Sequence, residues 1–267
     1  MKFLVVADIH YSLPQFDWLL KEAAKYDLVI IAGDLLDVGS IVDFRAQTLV
    51  VQKYLQKLTE ATRVFVCSGN HDLDSRTEAG EKFARWLGSI RDIEIGRDGD
   101  TVVIDDILFT ICPWWDGPVV RENLSLQLAA DSRCRDGYRW IWIHHAPPAN
   151  AAISWSGRQS LGDRDLLSWI GEYRPDIVFS GHIHQSPFVA NGSWADLVDK
   201  TWCFNAGHQF GSPPAYVAFD TELNEAVWVS AMGVQSVQLL APLQRPIPAL
   251  SRLPDWLHAL QENAERL

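Results

Sequence analysis

Five short motifs of the 267-residue chain carry side chains that bind divalent metals, and they occur in this order: Asp8-x-His10, Gly33-Asp34, Gly69-Asn70-His71-Asp72, His144-His145-Ala146-Pro147 and Gly181-His182-Ile183-His184. They contain six of the eight histidines of the chain. Carboxylate and imidazole ligands together suit borderline divalent ions such as Mn, Fe, Zn, Co or Ni. Two such ions held ~3.5–4 Å apart clamp a phosphoryl group and yield hydroxide at neutral pH. The motifs therefore indicate a binuclear metal hydrolase.

Each motif stands just past a short apolar run that is typical of a buried β-strand. The runs are residues 3–7, 28–32, 64–67, 140–143 and 177–180. Taken singly, Gly33-Asp34 and the third motif are also explained by turns, because Gly and Asp are common turn residues. Asp8-x-His10 could be a helix cap with a surface imidazole, and the last motif a strand with two histidines on one face. Five such coincidences at strand ends favour the metal-binding interpretation, since strand ends can bring their side chains to one place.

The spacing of apolar residues predicts an α/β fold. Helices are expected at residues 16–25, after a cap at Asp43, at 77–87 and at 165–173. Residues 101–104 and 107–112 predict an antiparallel pair of strands. Further short strands are expected at residues 201–205, 215–220 and 226–230. These elements predict a four-layer αββα sandwich, in which two mixed β-sheets are flanked by helices.

Charge and cysteine content limit the partners and the compartment. The formal net charge of −11 gives a field that repels nucleic-acid backbones, so nucleic acid is not an expected partner. A small phosphorylated substrate remains compatible, because bound metal cations set the local potential. The sequence has no run of ~20 apolar residues, so no membrane association is expected. Four scattered cysteines without a CxxC pair predict thiols in a reducing, cytoplasmic compartment.

The order DxH, GD, GNHD, HxP and GHxH resembles the calcineurin-like metallophosphoesterases over roughly residues 1–230. The resemblance implies a metallophosphoesterase in which a metal-bridging hydroxide attacks a phosphodiester or a phosphomonoester. It favours a phosphodiesterase acting on a small nucleotide-like or other small phosphorylated substrate, with two divalent ions, Mn before the others. The alternatives are a catalytically silent scaffold with this fold, or a nuclease of the same family.

The resemblance also assigns the metal ligands. The first ion would be held by Asp8, His10, Asp34 and His184. The second would be held by Asp34, Asn70, His145 and His182, with Asp34 bridging the two ions. His144 is the second choice for the position of His145, because neighbouring side chains of an extended segment point to opposite sides.

Two residues of the third motif would act on the substrate rather than on a metal. The resemblance places His71 by the leaving group as a general acid or as a donor to the phosphoryl oxygens, with Asp72 orienting it. Four further side chains in loops are candidates for contacts with the substrate, against a packing or surface role for each: Trp114, Trp115, Trp155 and Arg158.

The remaining predictions concern the second half of the chain. Asn205-Ala206-Gly207 resembles a supporting segment of the family. For the histidine that follows, His208, a surface position is favoured over a position near the cleft. Residues 1–234 are predicted to form the metallophosphoesterase domain, and 235–267 a Pro-rich tail that ends in a helix at 256–266. The tail packs on the domain or on a partner in this interpretation, which allows a homo-oligomer.

Overall fold

Two large β-sheets lie at the centre of the computed structural model, which describes residues 1–91 and 93–263. The strands and helices have these bounds, in chain order: β1 (Lys2–Val6), α1 (Leu13–Glu22), β2 (Leu28–Ala32), α2 (Phe44–Ala61), β3 (Arg63–Cys67), β4 (Ser75–Arg76), β5 (Lys82–Phe83), α3 (Arg85–Ser89), β6 (Thr101–Ile104), β7 (Ile107–Ile111), α4 (Pro118–Asp131), β8 (Arg139–Ile143), α5 (Arg164–Tyr173), β9 (Ile177–Ser180), β10 (Ala195–Val198), β11 (Thr201–Asn205), β12 (Tyr216–Asp220), β13 (Glu225–Ser230), β14 (Gly233–Gln238), β15 (Ala249–Leu250) and α6 (Asp255–Asn263).

Both sheets are mixed. The first has the strand order β15-β14-β13-β12-β1-β2-β3, and the second has the order β10-β11-β9-β8-β7-β6. In the first sheet β1, β2 and β3 are parallel, and in the second β7, β8, β9 and β11 are parallel. The other pairings are antiparallel. Five of these seven parallel strands, β1, β2, β3, β8 and β9, carry the five motifs at their carboxyl ends.

The alternating faces of the strands create the layers. In β2 the side chains of Leu28, Ile30 and Ala32 face the second sheet, while Val29 and Ile31 face the helices on the outside. Helices α1, α2 and α6 cover the outer face of the first sheet, and α4 and α5 cover that of the second. The predicted four-layer αββα sandwich is therefore confirmed, and a run that is apolar on both faces is what a strand between two layers requires.

The predicted helix at residues 77–87 is wrong. A hairpin of β4 and β5 turns at Gly80, whose φ of +86° interrupts a helix, and only Arg85–Ser89 are helical. A side chain that precedes the hairpin sets the residue at which the helix begins. Asp74 accepts hydrogen bonds from the backbone N–H groups of Arg85 and Trp86 at the start of α3, at 2.6 and 3.2 Å.

Residues after 234 join the same sandwich. The proposed boundary between residues 234 and 235 falls within β14, which pairs with β13 along its length. Leu257 of α6 is fully buried in the outer layer of the first sheet. Residues 264–266 of the predicted terminal helix lie outside the described residues. In the described part of the chain, no helix is long and apolar enough to cross a bilayer.

Candidate metal centre

The carboxyl ends of five parallel strands bring the motif side chains together. Asp8 and His10 follow β1, Asp34 follows β2, and Asn70 follows β3. The loop after β8 supplies His145, and the loop after β9 supplies His182 and His184. In open α/β sheets, the crevice beyond the carboxyl ends of parallel strands is the usual place for a ligand site.

A first cluster contains four possible metal ligands. The ligand atoms of Asp8, His10, Asp34 and His184 all lie within 4.8 Å of one another. The Nε2 atoms of His10 and His184 are 2.9 Å apart, and His184 Nε2 is 3.2 Å from Asp8 Oδ1. These four residues are the set that the sequence assigned to the first ion.

A second cluster shares Asp34 with the first. It joins the carboxylate of Asp34 with the imidazoles of His145 and His182. His145 Nε2 lies 3.1 Å from Asp34 Oδ2. His71, the residue after Asn70, donates its backbone N–H to Asp34 Oδ1 at 2.8 Å, which brings the loop of Asn70 to the same carboxylate. Asp34 therefore stands between the clusters, as a bridging ligand would.

Two buried polar atoms show that this donor set fits metal ions. Four buried side-chain atoms of the described residues lack a hydrogen-bond partner, and two of them belong to candidate ligands: Asn70 Oδ1, and His145 Nε2, which faces the Asp34 carboxylate. A buried polar atom left unsatisfied costs about 1–3 kcal/mol, whereas metal ligation would satisfy it. His145 Nδ1 is 2.7 Å from the carbonyl oxygen of Ala32, so it donates there and leaves Nε2 for a metal.

The backbone is in the left-handed region at four of the candidate ligands. The φ angles are 54° at Asp8, 46° at His10, 54° at Asp34 and 67° at His182. Non-glycine residues rarely adopt this region, and such conformations are concentrated at functional sites. The loops are therefore shaped to direct these side chains, at a conformational cost.

Three glycines allow the loops to come into contact. A Cβ atom at Gly33 would fall on the ring of His145, one at Gly69 on Asp34 Oδ1, and one at Gly181 on Ala7 Cβ. Each of these glycines stands directly before a candidate ligand in the sequence. The recurrent glycine of the motifs thus has a packing reason that is separate from turn formation.

The substitution Gly69→Ala is expected to lower the free energy of unfolding by about 1–3 kcal/mol, the usual cost of overpacking. The reason is that the new methyl group must displace the Asp34 carboxylate. Urea unfolding measures the effect. Gly88→Ala in α3 is the control: its Cβ would meet no atom within 4 Å, and alanine favours a helix by up to about 1 kcal/mol. Equal effects of the two substitutions would contradict the packing argument.

Charges in the clusters compensate one another. Burial raises the pKa of the Asp34 carboxyl group, but His145, the His71 N–H and His10 together hold it well below its ordinary value. Burial lowers the pKa of His145, yet Asp34 and then Asp8 raise it to about 9. Burial lowers the pKa of His182 to about 4, with His145 as the next cause. Metal ligation needs neutral imidazoles, so an ion would replace the proton of His145.

The structure distinguishes between the two adjacent histidines. His145 points into the clusters, whereas the ring of His144 stacks on Trp115 with centroids 4.4 Å apart and an angle of 6°. Trp115 also contacts Trp169 and lies in the outer layer of the second sheet. The favoured position, His145, is therefore the one in the cluster, and His144 packs on the opposite side of the strand.

The expectation that Asp72 orients His71 is wrong. The buried carboxylate of Asp72 accepts from the backbone N–H groups of Leu35, Leu36 and Gly69 at 2.8–3.0 Å, and among the described residues it makes no contact with the His71 ring. Burial, and then Asp34, raise the pKa of Asp72 to about 8. Asp72 therefore holds the Asp34 loop against the Gly69 loop.

Asp37 is the carboxylate that faces His71. Its Oδ1 atom lies 3.8 Å from His71 Nδ1, and the His71 ring is edge-on to His10 with centroids 4.6 Å apart. With His10 and His71, Asp37 forms a third group of possible metal ligands, and it was not among the predicted site residues. The available signal was a second carboxylate three residues after Asp34, on the same loop.

The four candidate substrate residues occupy different places. Trp114 lies against the second cluster, with its ring centroid 5.1 Å from that of His182 and 5.7 Å from that of His145. Trp115 is a packing residue, as described above. Trp155 donates its indole N–H to the carbonyl oxygen of Ala190 at 3.0 Å. Arg158 is exposed, and the described contacts do not join it to the clusters. Only Trp114 of the four is placed beside the candidate ligands.

His208 is not the surface histidine that the sequence analysis favoured. It is half-buried beside the first cluster, with Nδ1 2.6 Å from the carbonyl oxygen of Asp8 and its ring 5.0 Å from that of His184. The Asn205 amide donates to the carbonyl oxygens of Ile153 and Ile183 at 3.0 and 3.1 Å. The loop after β11 therefore supports the loop that carries His182 and His184.

An αββα sandwich with a carboxylate shared by two histidine clusters defines the class of two-metal hydrolases. The model of the calcineurin-like phosphoesterase family matches residues 1–186, well over half of the chain, so the chain belongs to this family. It is a hydrolase that acts on phosphoric ester bonds. No curated protein sequence matches the chain.

Solved structures share the fold at low sequence identity. The protein TT1561 of Thermus thermophilus is similar with a TM-score of 0.57 and 13% identity, over 89% of this chain and 98% of that one. The purple acid phosphatase PPD1 from yellow lupin (Lupinus luteus) seeds has a TM-score of 0.54 and 13% identity, over 93% of this chain and 52% of that one. These similarities confirm the architecture.

Proposed function

We propose that the protein is a phosphodiesterase that uses two divalent cations, with Mn favoured, on a small nucleotide-like phosphodiester. The observation that supports this function best is Asp34, which belongs to both clusters of candidate ligands. The ligands would be Asp8, His10, Asp34 and His184 for one ion, and Asp34, Asn70, His145 and His182 for the other. This mixture of imidazoles with carboxylate and amide oxygens, without thiolate, suits Mn and its neighbours.

When bound, the two cations would stabilise the charge on the phosphoryl oxygens and supply hydroxide at neutral pH. The residues of the chain orient the reaction. The second ion would be held from three strand ends, by Asn70, His145 and Asp34. The first ion would be held by His10 and His184 together with the carboxylates. His71, beside His10, would give a proton to the departing oxygen. The backbone N–H of Val38 donates to His71 Nδ1 at 3.4 Å, and Asp37 lies 3.8 Å from the same atom.

The side chains in direct contact with the candidate ligands, as far as the structure describes them, support a diester over a monoester. A phosphomonoester carries nearly two negative charges at pH 7, since its second pKa is about 6, whereas a diester carries one. In the described part of the chain, no Arg or Lys contacts the candidate ligands, and the neighbouring side chains are His, Asp and Trp. Two cations alone match the charge of a diester better.

A cytoplasmic location is part of this proposal. Cys67, Cys112, Cys134 and Cys203 are free, and all but Cys134 are buried. Thiols of this kind are typical of a reducing compartment. The proposed partner is a small phosphorylated molecule, and residues 235–267 are the proposed contact of a homo-oligomer.

Hydrolysis after metal reconstitution tests the proposed function. The purified protein, stripped of metal and reloaded with Mn, is expected to hydrolyse bis-p-nitrophenyl phosphate with a higher kcat/KM than p-nitrophenyl phosphate. Metal analysis should give about two ions per chain. A higher kcat/KM for p-nitrophenyl phosphate would show that the protein is a phosphomonoesterase and not a phosphodiesterase. Two bound ions without turnover of either compound would argue against both.

A further inference from the structure

A cavity of about 550 Å³ beside the metal centre is assigned to no part of the reaction described above. We propose that it binds the nucleoside-sized aromatic group that stays on the phosphorus during hydrolysis. This proposal rests on the proposed phosphodiesterase function and names the part of the substrate that the site selects. A volume of this size falls within the usual range of small-molecule pockets, about 300–1,000 Å³.

Trp114 connects the cavity to the candidate ligands. It lines the cavity, and its ring lies against His182 and His145 of the second cluster. Its backbone N–H donates to Ser68 Oγ at 3.0 Å, which ties it to the loop of Asn70 and His71. A group bound in this cavity is therefore separated from the second metal position by one indole ring.

The position of the cavity relative to the two clusters decides which ester group of the substrate it binds. His71, which serves the leaving oxygen, lies against His10 of the first cluster. Trp114 lies against the second cluster. Because the leaving group departs towards His71, the cavity beside Trp114 receives the other ester group.

The walls of the cavity are held in place by hydrogen bonds between distant segments. The buried carboxylate of Glu81, in the β4–β5 hairpin, accepts from the backbone N–H groups of Val119 and Val120 at 2.7 and 3.1 Å. The N–H of Lys82 donates to Asp116 at 3.2 Å. These bonds attach the hairpin beside the first sheet to the start of α4 on the second. A preformed cavity lowers the entropic cost of binding.

The lining matches an aromatic group with polar edges. Phe83, Pro113, Trp114 and Val120 supply apolar surface, and Thr77 and Asn123 supply hydrogen-bonding groups. Arg85 and Arg91 also line the cavity, in a chain whose formal net charge is −11. Stacking on an indole suits a nucleobase, and the guanidinium groups attract an anionic substrate.

Size alone would favour a different place. A groove of about 910 Å³ runs along the edge strands β3 and β6, but no residue around the metal centre lines it. The smaller cavity is preferred because it shares Trp114 with the metal centre.

Two esters with the same leaving group test the proposal. We expect the wild-type protein to hydrolyse thymidine 5′-(p-nitrophenyl phosphate) with a higher kcat/KM than methyl p-nitrophenyl phosphate. In Val120→Trp, which fills the cavity, the ratio of the two kcat/KM values is expected to fall at least tenfold. Asn123→Trp, at an exposed position of the same lining, should lower the ratio in the same direction. The second variant keeps the test available if the first fails to fold.

Val103→Trp is the matched control. Val103 is half exposed on β6 and lines the other groove. The ratio of the two kcat/KM values in Val103→Trp should therefore equal that of the wild type. An unchanged ratio in both cavity variants, or an equal fall in Val103→Trp, would overturn the proposal.

Failure of the proposed function gives a different result. In that case the metal-loaded wild type hydrolyses neither ester, and calorimetric titration with thymidine 5′-monophosphate still tests the cavity. At least tenfold weaker binding by Val120→Trp than by Val103→Trp supports the cavity as a nucleoside site. Equal binding by the two variants overturns it.

Discussion

Asp34→Asn is expected to reduce kcat for a phosphodiester by a factor on the order of 10³ or more, because it removes the carboxylate shared by both clusters. The amide keeps the shape of the side chain but cannot bridge two cations. The bound metal should fall from about two ions per chain to one or fewer. Steady-state kinetics with the Mn-loaded protein and metal analysis of the same sample measure the two effects together.

Asp106→Asn is the matched control for this substitution. Asp106 is an exposed residue of the turn between β6 and β7, on the other sheet, so kcat and metal content should stay at wild-type values. Near-normal kcat in Asp34→Asn with two ions bound would show that Asp34 is not the bridging ligand.

His71→Asn is expected to lower kcat by about 10²–10⁴ for an ester with a poorly departing alcohol, because general acid catalysis contributes about that much. With p-nitrophenol as the leaving group the loss should be much smaller, since this group departs without a proton. Metal content should stay at the wild-type level, because His71 belongs to neither of the two clusters that share Asp34. A comparison of an alkyl ester with the p-nitrophenyl ester of the same nucleotide measures the difference.

The control for a general effect of losing an imidazole is His258→Asn, on α6. His258 is exposed and lies 3.7 Å from Glu262, on the surface of the outer helical layer. If His71→Asn slowed both esters by the same factor, a role in protonating the leaving group would be excluded. A parallel loss of metal would instead place His71 among the ligands.

The elements that position the metal centre could be predicted because their signals are local. The parallel strands are apolar on both faces, and Asp43 begins α2 by accepting the N–H of Arg45 at 3.0 Å. The β4–β5 hairpin could not be predicted in this way. Its helical spacing is overridden by Glu81, which bonds to α4 about 40 residues away. Helix α4 was missed altogether, and its one-sided apolar pattern is weak.

The same distinction applies within the site. The ligand types and their positions after strands were readable from the motifs, and the two clusters that share Asp34 contain the expected carboxylates and imidazoles. The contacts of Asp37, Asp72 and His208 were not readable. Asp72 and Asp37 are both near His71 in sequence or space, and only the folded loops show that Asp37 faces the ring. His208 reaches Asp8 across 200 residues of chain.

The left-handed backbone of the ligand loops also restricts how this site can change during evolution or redesign. Besides glycine, Asn, Asp and His are the residues that tolerate such a conformation best, and β-branched or bulky residues are excluded. Asp8, His10, Asp34 and His182 satisfy both the backbone and the coordination chemistry. The choice of amino acid at these positions is thus limited both by the backbone conformation and by metal coordination. New metal preferences or substrates would have to come from the neighbours, such as Asp37, His208 and Trp114, while the ligands themselves stay constant.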